Sequence, residues 1–231
     1  MRRPLIDKGT LALLRPVRTV VRRYRGVRGR VASNGDRAIE VESFLELKAA
    51  RVIIACSAGA FLLEQPFHLV FIVIGARTIY TPDFLVIGHD GPVAIEVKPG
   101  DHATKEEDVA RFDLIADLLQ GHGIQFQVWR RSQIEVQPRW SSVLALLPYR
   151  RVGMKPEDRG RIRKAIKLSQ HCNTICALAA TAQVEKEVVL RMILDGDLFI
   201  DFNEPLTSDA HVSDMPFAHQ LWPARQQTGE L

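Results

Sequence analysis

Cysteine is scarce in this chain of 231 residues. There are three, an odd number, which argues against a disulfide framework and for a reducing compartment. His171, Cys172 and Cys176 stand close together. A Cys-x3-Cys pattern without a second ligand pair at suitable spacing does not make a zinc site, however, and these are read as helix core and surface residues. Long apolar runs are missing too. The longest strongly apolar run, from Leu69 to Ile74, falls far short of the ~20 residues of a membrane helix. Arginines interrupt the N-terminal stretch so often that no secretory signal is expected. The sequence has no glycine-rich phosphate loop of the GxxxxGK[ST] kind, so nucleotide hydrolysis must come from a partner. It has no GxSxG element, so a hydrolase triad has no support. Internal repeats and low-complexity tracts are also missing. A soluble cytoplasmic protein without a membrane partner is expected.

What is present is ordinary in bulk and lopsided in detail. The chain is 46% hydrophobic and 25% charged, a balance typical of a folded globular protein rather than a disordered or collagenous one. Its length suits one full domain and a small second one. Residues 1–30 hold ten basic residues against the single acid Asp7, a net +9, which leaves −5 for the rest of a chain whose total is +4. An acidic body therefore carries a basic arm, residues 1–32. Seven of its arginines, Arg15, Arg18, Arg22, Arg23, Arg25, Arg28 and Arg30, can track DNA phosphates and release counterions. Tyr24, Gly26 and Gly29 allow close approach to a backbone.

The patterning beyond the arm alternates helical and strand signals. Apolar residues at 41, 44, 45, 49, 52 and 53 have the spacing of an amphipathic helix. Phe61 to Ile74, broken by Pro66, reads as a strand or strand pair. Two apolar runs across His89-Asp90-Gly91 predict a β-hairpin. A helix is expected over Thr104–Gln120, with Val109, Phe112, Ile115, Ala116 and Leu119 on its inner face, and a strand over Phe126–Arg130. Together they predict a mixed α/β domain over residues 33–150. Gly153–Gly160 reads as a linker. Three short helical patterns and an alternating strand over Leu198–Phe202 then form a small winged-helix-like domain, residues 151–213, before a flexible tail, 214–231. From Glu185 to Glu204 that domain has six acids against Lys186 and Arg191. A helix so flanked would be repelled by phosphates, so docking to a protein is expected rather than DNA reading.

The chemistry-bearing residues lie on the hairpin. Glu96 and Lys98 sit two apart in the otherwise apolar Val93-Ala-Ile-Glu-Val-Lys, so strand geometry places both on one face. Burying such charges costs several kcal/mol each unless something offsets it. Asp83, on the opposite run, is expected near Glu96. A divalent cation between two carboxylates, beside a lysine, supplies the offset. Mg²⁺ (or Mn²⁺) held by Asp83, Glu96 and the Val97 carbonyl suits the hard oxygen donors, and activates water and stabilises phosphoryl charge. The lysine can orient or deprotonate that water. Pro82-Asp83, twelve residues, then Glu96-Val97-Lys98 match the PD-(D/E)xK nuclease pattern, and hence a restriction-endonuclease-like mixed sheet flanked by helices.

The wider order of motifs resembles TnsA, the endonuclease subunit of heteromeric, Tn seven-like transposases. It consists of Glu42-Ser43-Phe44-Leu45-Glu46, Glu64-Gln65-Pro66-Phe67, Tyr80-Thr81-Pro82-Asp83-Phe84-Leu85-Val86 and Ile95-Glu96-Val97-Lys98-Pro99. The resemblance covers roughly residues 20–130 and, more weakly, the C-terminal module. It implies that Glu46, in a Ser-x-x-Glu motif, is the helix carboxylate that joins catalysis and metal binding, with Glu42 one turn earlier as the reserve. Asp83 and Glu96 match the metal-ligand positions and Lys98 the lysine. Some members carry Gln where Glu96 stands. Gln65 matches a recurrent Gln-Pro and either positions the site or packs a strand. The implied reaction is metal-dependent hydrolysis at the 5′ ends of the transposon on double-stranded DNA. A TnsB-like transposase handles the 3′ ends, and a TnsC-like AAA+ ATPase engages the C-terminal domain, in a bacterial cytoplasm. A stand-alone restriction or repair nuclease, and a non-catalytic adaptor between transposase and ATPase, are the alternatives.

Overall fold

Phe84–Gly88 (β6) and Gly91–Lys98 (β7) pair as the antiparallel hairpin that their turn signal predicts, with Phe84 opposite Ile95 and Gly88 opposite Gly91. Gly91 has φ +104°, a conformation open to glycine and strained for other residues. The computed structural model describes residues 29–32, 38–57, 59–73, 76–88, 91–100, 106–168 and 173–217. Arg15, Arg18, Arg22, Arg23, Arg25 and Arg28 lie outside the described residues, as do His171, Cys172 and most of the tail. Arg30 is described only as backbone, in strand β1 (Gly29–Ala32), which pairs antiparallel with β2 (Ala38–Val41).

The chain divides into two compact units, residues 1–50 with 60–134, and residues 51–59 with 135–231. In the first, the hairpin is the middle of a four-stranded sheet ordered β3-β6-β7-β8, with β3 at Phe61–Glu64 and β8 at Gln125–Arg130. β3 and β6 run antiparallel, whereas β7 and β8 run parallel. A parallel pair needs a crossover, because a tight turn can only reverse the chain. Helix α2 (Glu106–Gly121) supplies it. The result is a mixed sheet flanked by helices, consistent with the nuclease fold expected from the sequence.

A separate ribbon, β4 (Leu69–Val73) with β5 (Ala76–Tyr80), turns Phe71 and Tyr80 inward and leaves Val70, Ile72 and Ile79 exposed. Phe71 and Tyr80 join Ala94, Ile115 and Leu119 in a buried cluster flanked by Phe112 and Phe126. Each fully buried Leu or Ile there contributes about 1.5–3 kcal/mol relative to exposure. Val109 departs from the inner face expected of it and is 46% exposed. It stands in the first turn of α2, ahead of the stretch that packs on the cluster. Helix α1 (Phe44–Cys56) follows β2 and begins directly after Ser43.

Short helices α3 (Arg131–Ile134) and α4 (Arg139–Leu146) and a 3-10 turn (Leu147–Arg151) follow β8. The sequence pattern predicts no element there. The expected linker also shrinks, because helix α5 spans Pro156–Leu168. Proline fits a first helical turn, where no intrahelical partner exists for its missing N–H. Glu157 and Asp158 there favour the positive helix end, so Gly160 is carried within the helix rather than breaking it.

Helix α6 (Ile175–Ala182) starts on Thr174, whose hydroxyl accepts from the Ala177 N–H at 3.2 Å. Helix α7 (Lys186–Asp195) ends on Gly196 at φ +81°. The strand expected over Leu198–Phe202 is only Phe199–Ile200 (β9), paired with Val212–Ser213 (β10). The acidic run is also less bare than its sequence. Asp195 accepts from Arg191 and Arg159 at 2.8 and 2.9 Å, and Asp197 accepts from Arg163 at 2.8 Å and from Arg159.

Candidate active site

The open end of the β6–β7 hairpin gathers the acidic residues that the sequence singled out. Asp83 precedes β6. Its Oδ2 accepts the Val97 N–H at 2.7 Å, so the backbone of β7 fixes the carboxylate that leads into β6. Glu96 is 7% exposed, and its Oε1 lies 2.6 Å from Lys98 Nζ. The two-residue period thus sets acid and base side by side, as expected. Lys98 also lies over the Phe112 ring at 5.7 Å, so its charge faces an aromatic surface as well as a carboxylate.

Sequence reasoning missed Tyr80. This buried residue donates its hydroxyl to Glu96 Oε2 at 2.7 Å. Burial foremost, then the Glu96 charge, pushes the phenol far above its ordinary value, so it stays a protonated donor. Tyr80 belongs to the quoted Tyr-Thr-Pro-Asp motif, and an aromatic residue three before the aspartate was the available signal.

Burial, followed by the nearby Glu96 charge, pushes the Asp83 carboxyl well above the usual carboxylate range, against the Val97 hydrogen bond and the Lys98 charge. Two carboxylates crowded in a poorly solvated place favour proton sharing or a cation. Glu46 is close enough to contribute to the same effect. Its own carboxyl is raised by burial and by Glu42 and Glu96, against hydrogen bonds from Glu42 and Ser43. Both Glu46 oxygens are engaged locally. Oε1 accepts from the Ser43 hydroxyl at 2.8 Å and Oε2 from the Glu42 N–H at 2.8 Å, while the Glu46 N–H donates to Ser43 Oγ at 3.1 Å. This is a variant of the capping box, with the return bond made to the Glu42 N–H rather than to that of the cap residue Ser43, and it accounts locally for the Ser-x-x-Glu spacing.

Gln65 bridges two of the quoted motifs. Its amide donates to Glu42 Oε1 at 3.1 Å, and its N–H donates to the Asp83 carbonyl at 2.9 Å. It is buried with φ +41°, a left-handed conformation that costs a non-glycine residue about 1–3 kcal/mol and is often found at functional sites.

Among the described residues, no group of three or more His, Cys, Asp or Glu side chains is arranged to hold a metal ion. The fit of a cation therefore rests on the Asp83–Glu96 pair. Its donors are hard oxygens, and its two crowded carboxylates face one lysine. That chemistry suits Mg²⁺ or Mn²⁺, with water completing the coordination. No described helix is long and apolar enough to cross a membrane.

A mixed sheet that presents an aspartate, a glutamate and a lysine at the end of a central hairpin is the arrangement of PD-(D/E)xK nucleases. Residues 40–130 match the family model for the TnsA-like endonuclease N-terminal domain, which supports a TnsA-like endonuclease. The match contains Glu42, Glu46, Gln65, Tyr80, Asp83, Glu96 and Lys98. No curated protein matches the chain.

Proposed function

We propose that this protein is the metal-dependent DNA endonuclease subunit of a Tn seven-like transposase, hydrolysing phosphodiesters at the 5′ ends of the transposon during cut-and-paste movement. The observation that carries the reading is the linked set of Asp83, Glu96 and Lys98 on one hairpin, within the TnsA-like segment. Asp83, Glu96 and the Val97 carbonyl would hold Mg²⁺ or Mn²⁺. When bound, the ion lowers the pKa of its water and stabilises charge on the phosphoryl group.

The protein's own residues do the rest. The Val97 N–H orients Asp83, and the two-residue spacing on β7 brings Lys98 to the edge of the site beside Glu96. Lys98 orients or deprotonates the attacking water and offsets phosphate charge. Glu46 adds negative charge from the helix start, with Glu42 in reserve. The basic arm tracks DNA phosphates through Arg15, Arg18, Arg22, Arg23, Arg25, Arg28 and Arg30.

A TnsB-like transposase is the partner that cleaves and joins the 3′ ends. The region from 151 to 213, read as winged-helix-like, docks a TnsC-like AAA+ ATPase. The helices α5–α7 and the short β9–β10 pair support that reading. Assembly takes place in the bacterial cytoplasm.

The test combines the protein with transposon-end DNA, the partner transposase, the ATPase and Mg²⁺, and maps 5′-end nicks. Nicks that vanish with Asp83→Ala support the proposal. Unchanged nicking by that variant would remove the mechanism. Nicking of unrelated DNA without any partner would instead favour a stand-alone nuclease.

A further inference from the structure

Glu96 is held from both sides by different parts of the fold. Lys98, its neighbour on β7, takes Oε1 at 2.6 Å, while Tyr80, from the β4–β5 ribbon, takes Oε2 at 2.7 Å. The tyrosine has little freedom to leave. Phe126 meets its ring edge-on at 6.2 Å between centroids, and the Arg111 guanidinium lies over the ring at 5.7 Å. The ring is also part of the cluster with Phe71, Ala94, Ile115 and Leu119. A hydroxyl-to-carboxylate hydrogen bond of this length belongs to the strong, charge-assisted kind.

We propose that Tyr80 is a positioning residue that reserves one oxygen of Glu96, leaving Oε1 as the oxygen offered to a divalent cation. The inference rests on the reading of Asp83 and Glu96 as the cation-holding pair. A carboxylate free to rotate offers either oxygen, or both, at varying positions. One whose Oε2 is tied to a packed phenol presents Oε1 in a single place. Lys98 occupies that oxygen here, so an arriving cation meets Oε1 already aimed and has one lysine contact to replace. Partners of metal ligands that act in this way typically change metal affinity by about 10–100-fold when removed.

The test is calorimetric titration of Mn²⁺ alone into the full-length protein, with thermal melts run in parallel. Tyr80→Phe keeps the ring and its packing, and is expected to weaken Mn²⁺ binding by about tenfold or more while the metal-free melt stays cooperative. Tyr80→4-aminophenylalanine, which restores a donor at the same position, is expected to recover part of that loss. Wild-type affinity in Tyr80→Phe, with binding abolished by Asp83→Ala, would overturn the role of Tyr80 and leave the metal pair standing. Weakened binding that the amino variant leaves unrecovered would overturn it as well, since the missing donor would not be the cause. Unchanged binding in Asp83→Ala would refute the cation pair itself. If Tyr80→Phe lost its cooperative melt, the amino variant alone would decide, with near-wild-type affinity as the supporting result and loss of binding in a folded protein as the opposing one.

Discussion

The amide of Val97 donates to Asp83 Oδ2 at 2.7 Å, and that amide lies between the two charged side chains of the same strand. One peptide thus ties the aspartate that leads into β6 to the Glu96–Lys98 pair of β7. The pair forms whatever the identity of the substrate, so Lys98 can be replaced without cutting the Asp83 tether. Lys98→Met is expected to lower end cleavage by about 10²–10⁴-fold, the usual contribution of a positioned proton-transfer group. Its melting temperature should also fall, because Glu96 is buried and a buried carboxylate left without its cation partner costs up to several kcal/mol. Single-turnover cleavage of labelled transposon ends, alongside melts, measures both.

Asp83 is raised above the ordinary carboxylate range by burial and by Glu96. A carboxyl whose folded-state pKa exceeds its unfolded value binds its proton more readily when folded, so its ionisation at neutral pH opposes folding. Asp83→Asn should therefore stabilise the metal-free protein at pH 7. The advantage should shrink as pH falls through the folded pKa toward the ordinary value of 3.8, where wild-type Asp83 is also neutral. Urea unfolding of both proteins across pH 4–7.5 in chelator would show a converging pair of curves. A parallel pair would contradict the assignment. Added Mg²⁺ should stabilise the wild type and not the variant.

Ser43 closes the capping box at the start of α1 and holds Glu46 Oε1 at 2.8 Å. Ser43→Ala removes both bonds and is expected to cost about 1 kcal/mol, read as a lower urea midpoint. Ser43→Thr, which keeps the hydroxyl, should restore most of it.

Cys56 is half-buried, and burial pushes its thiol up from 9.0 to about 12, with Arg139 pulling modestly the other way. The thiolate is the reactive form. Iodoacetamide at pH 8 should therefore label the exposed Cys176 while Cys56 reacts roughly a thousandfold more slowly than in the denatured chain. The linkage has a definite sign. The folded value is raised, so the contribution to stability is present below pH 9 and is lost as pH rises from 9 toward 12. Peptide mapping of the labelled protein gives the first result. Comparison of alkaline melts with Cys56→Ala gives the second.

The hairpin and its charged pair were legible in the sequence because a two-residue period and an Asp-Gly turn are local signals. Asp83 was placed opposite Glu96 by register alone. Tyr80 was visible as a letter in a motif but not as a partner. Its bond to Glu96 depends on the β4–β5 ribbon turning residue 80 inward, which a linear pattern does not encode. The start of α5 was obscured by Pro156 and Gly160, whose usual role as breakers was outweighed by first-turn placement and acidic neighbours. Asp195 and Asp197 looked like bare acidity because the arginines of α5 that neutralise them lie 34 to 38 residues earlier. The Ser43–Glu46 spacing forms a helix cap, whereas sequence alone raised only the proposed catalytic role of Glu46.

The β6–β7 ladder keeps its turn and its charged residues at opposite ends. Gly88 faces Gly91 at one end, while Asp83 and Glu96 lie beyond the Phe84–Ile95 rung at the other. Residues added at the tip leave every rung in place, so the tip is a port for peptide tags or fluorophores that would report on an assembled nuclease without moving its acids. A single residue inserted between Phe84 and Ile87 would do the opposite. It would turn Asp83 to the far side of the sheet and separate it from Glu96 while leaving both residues in the chain.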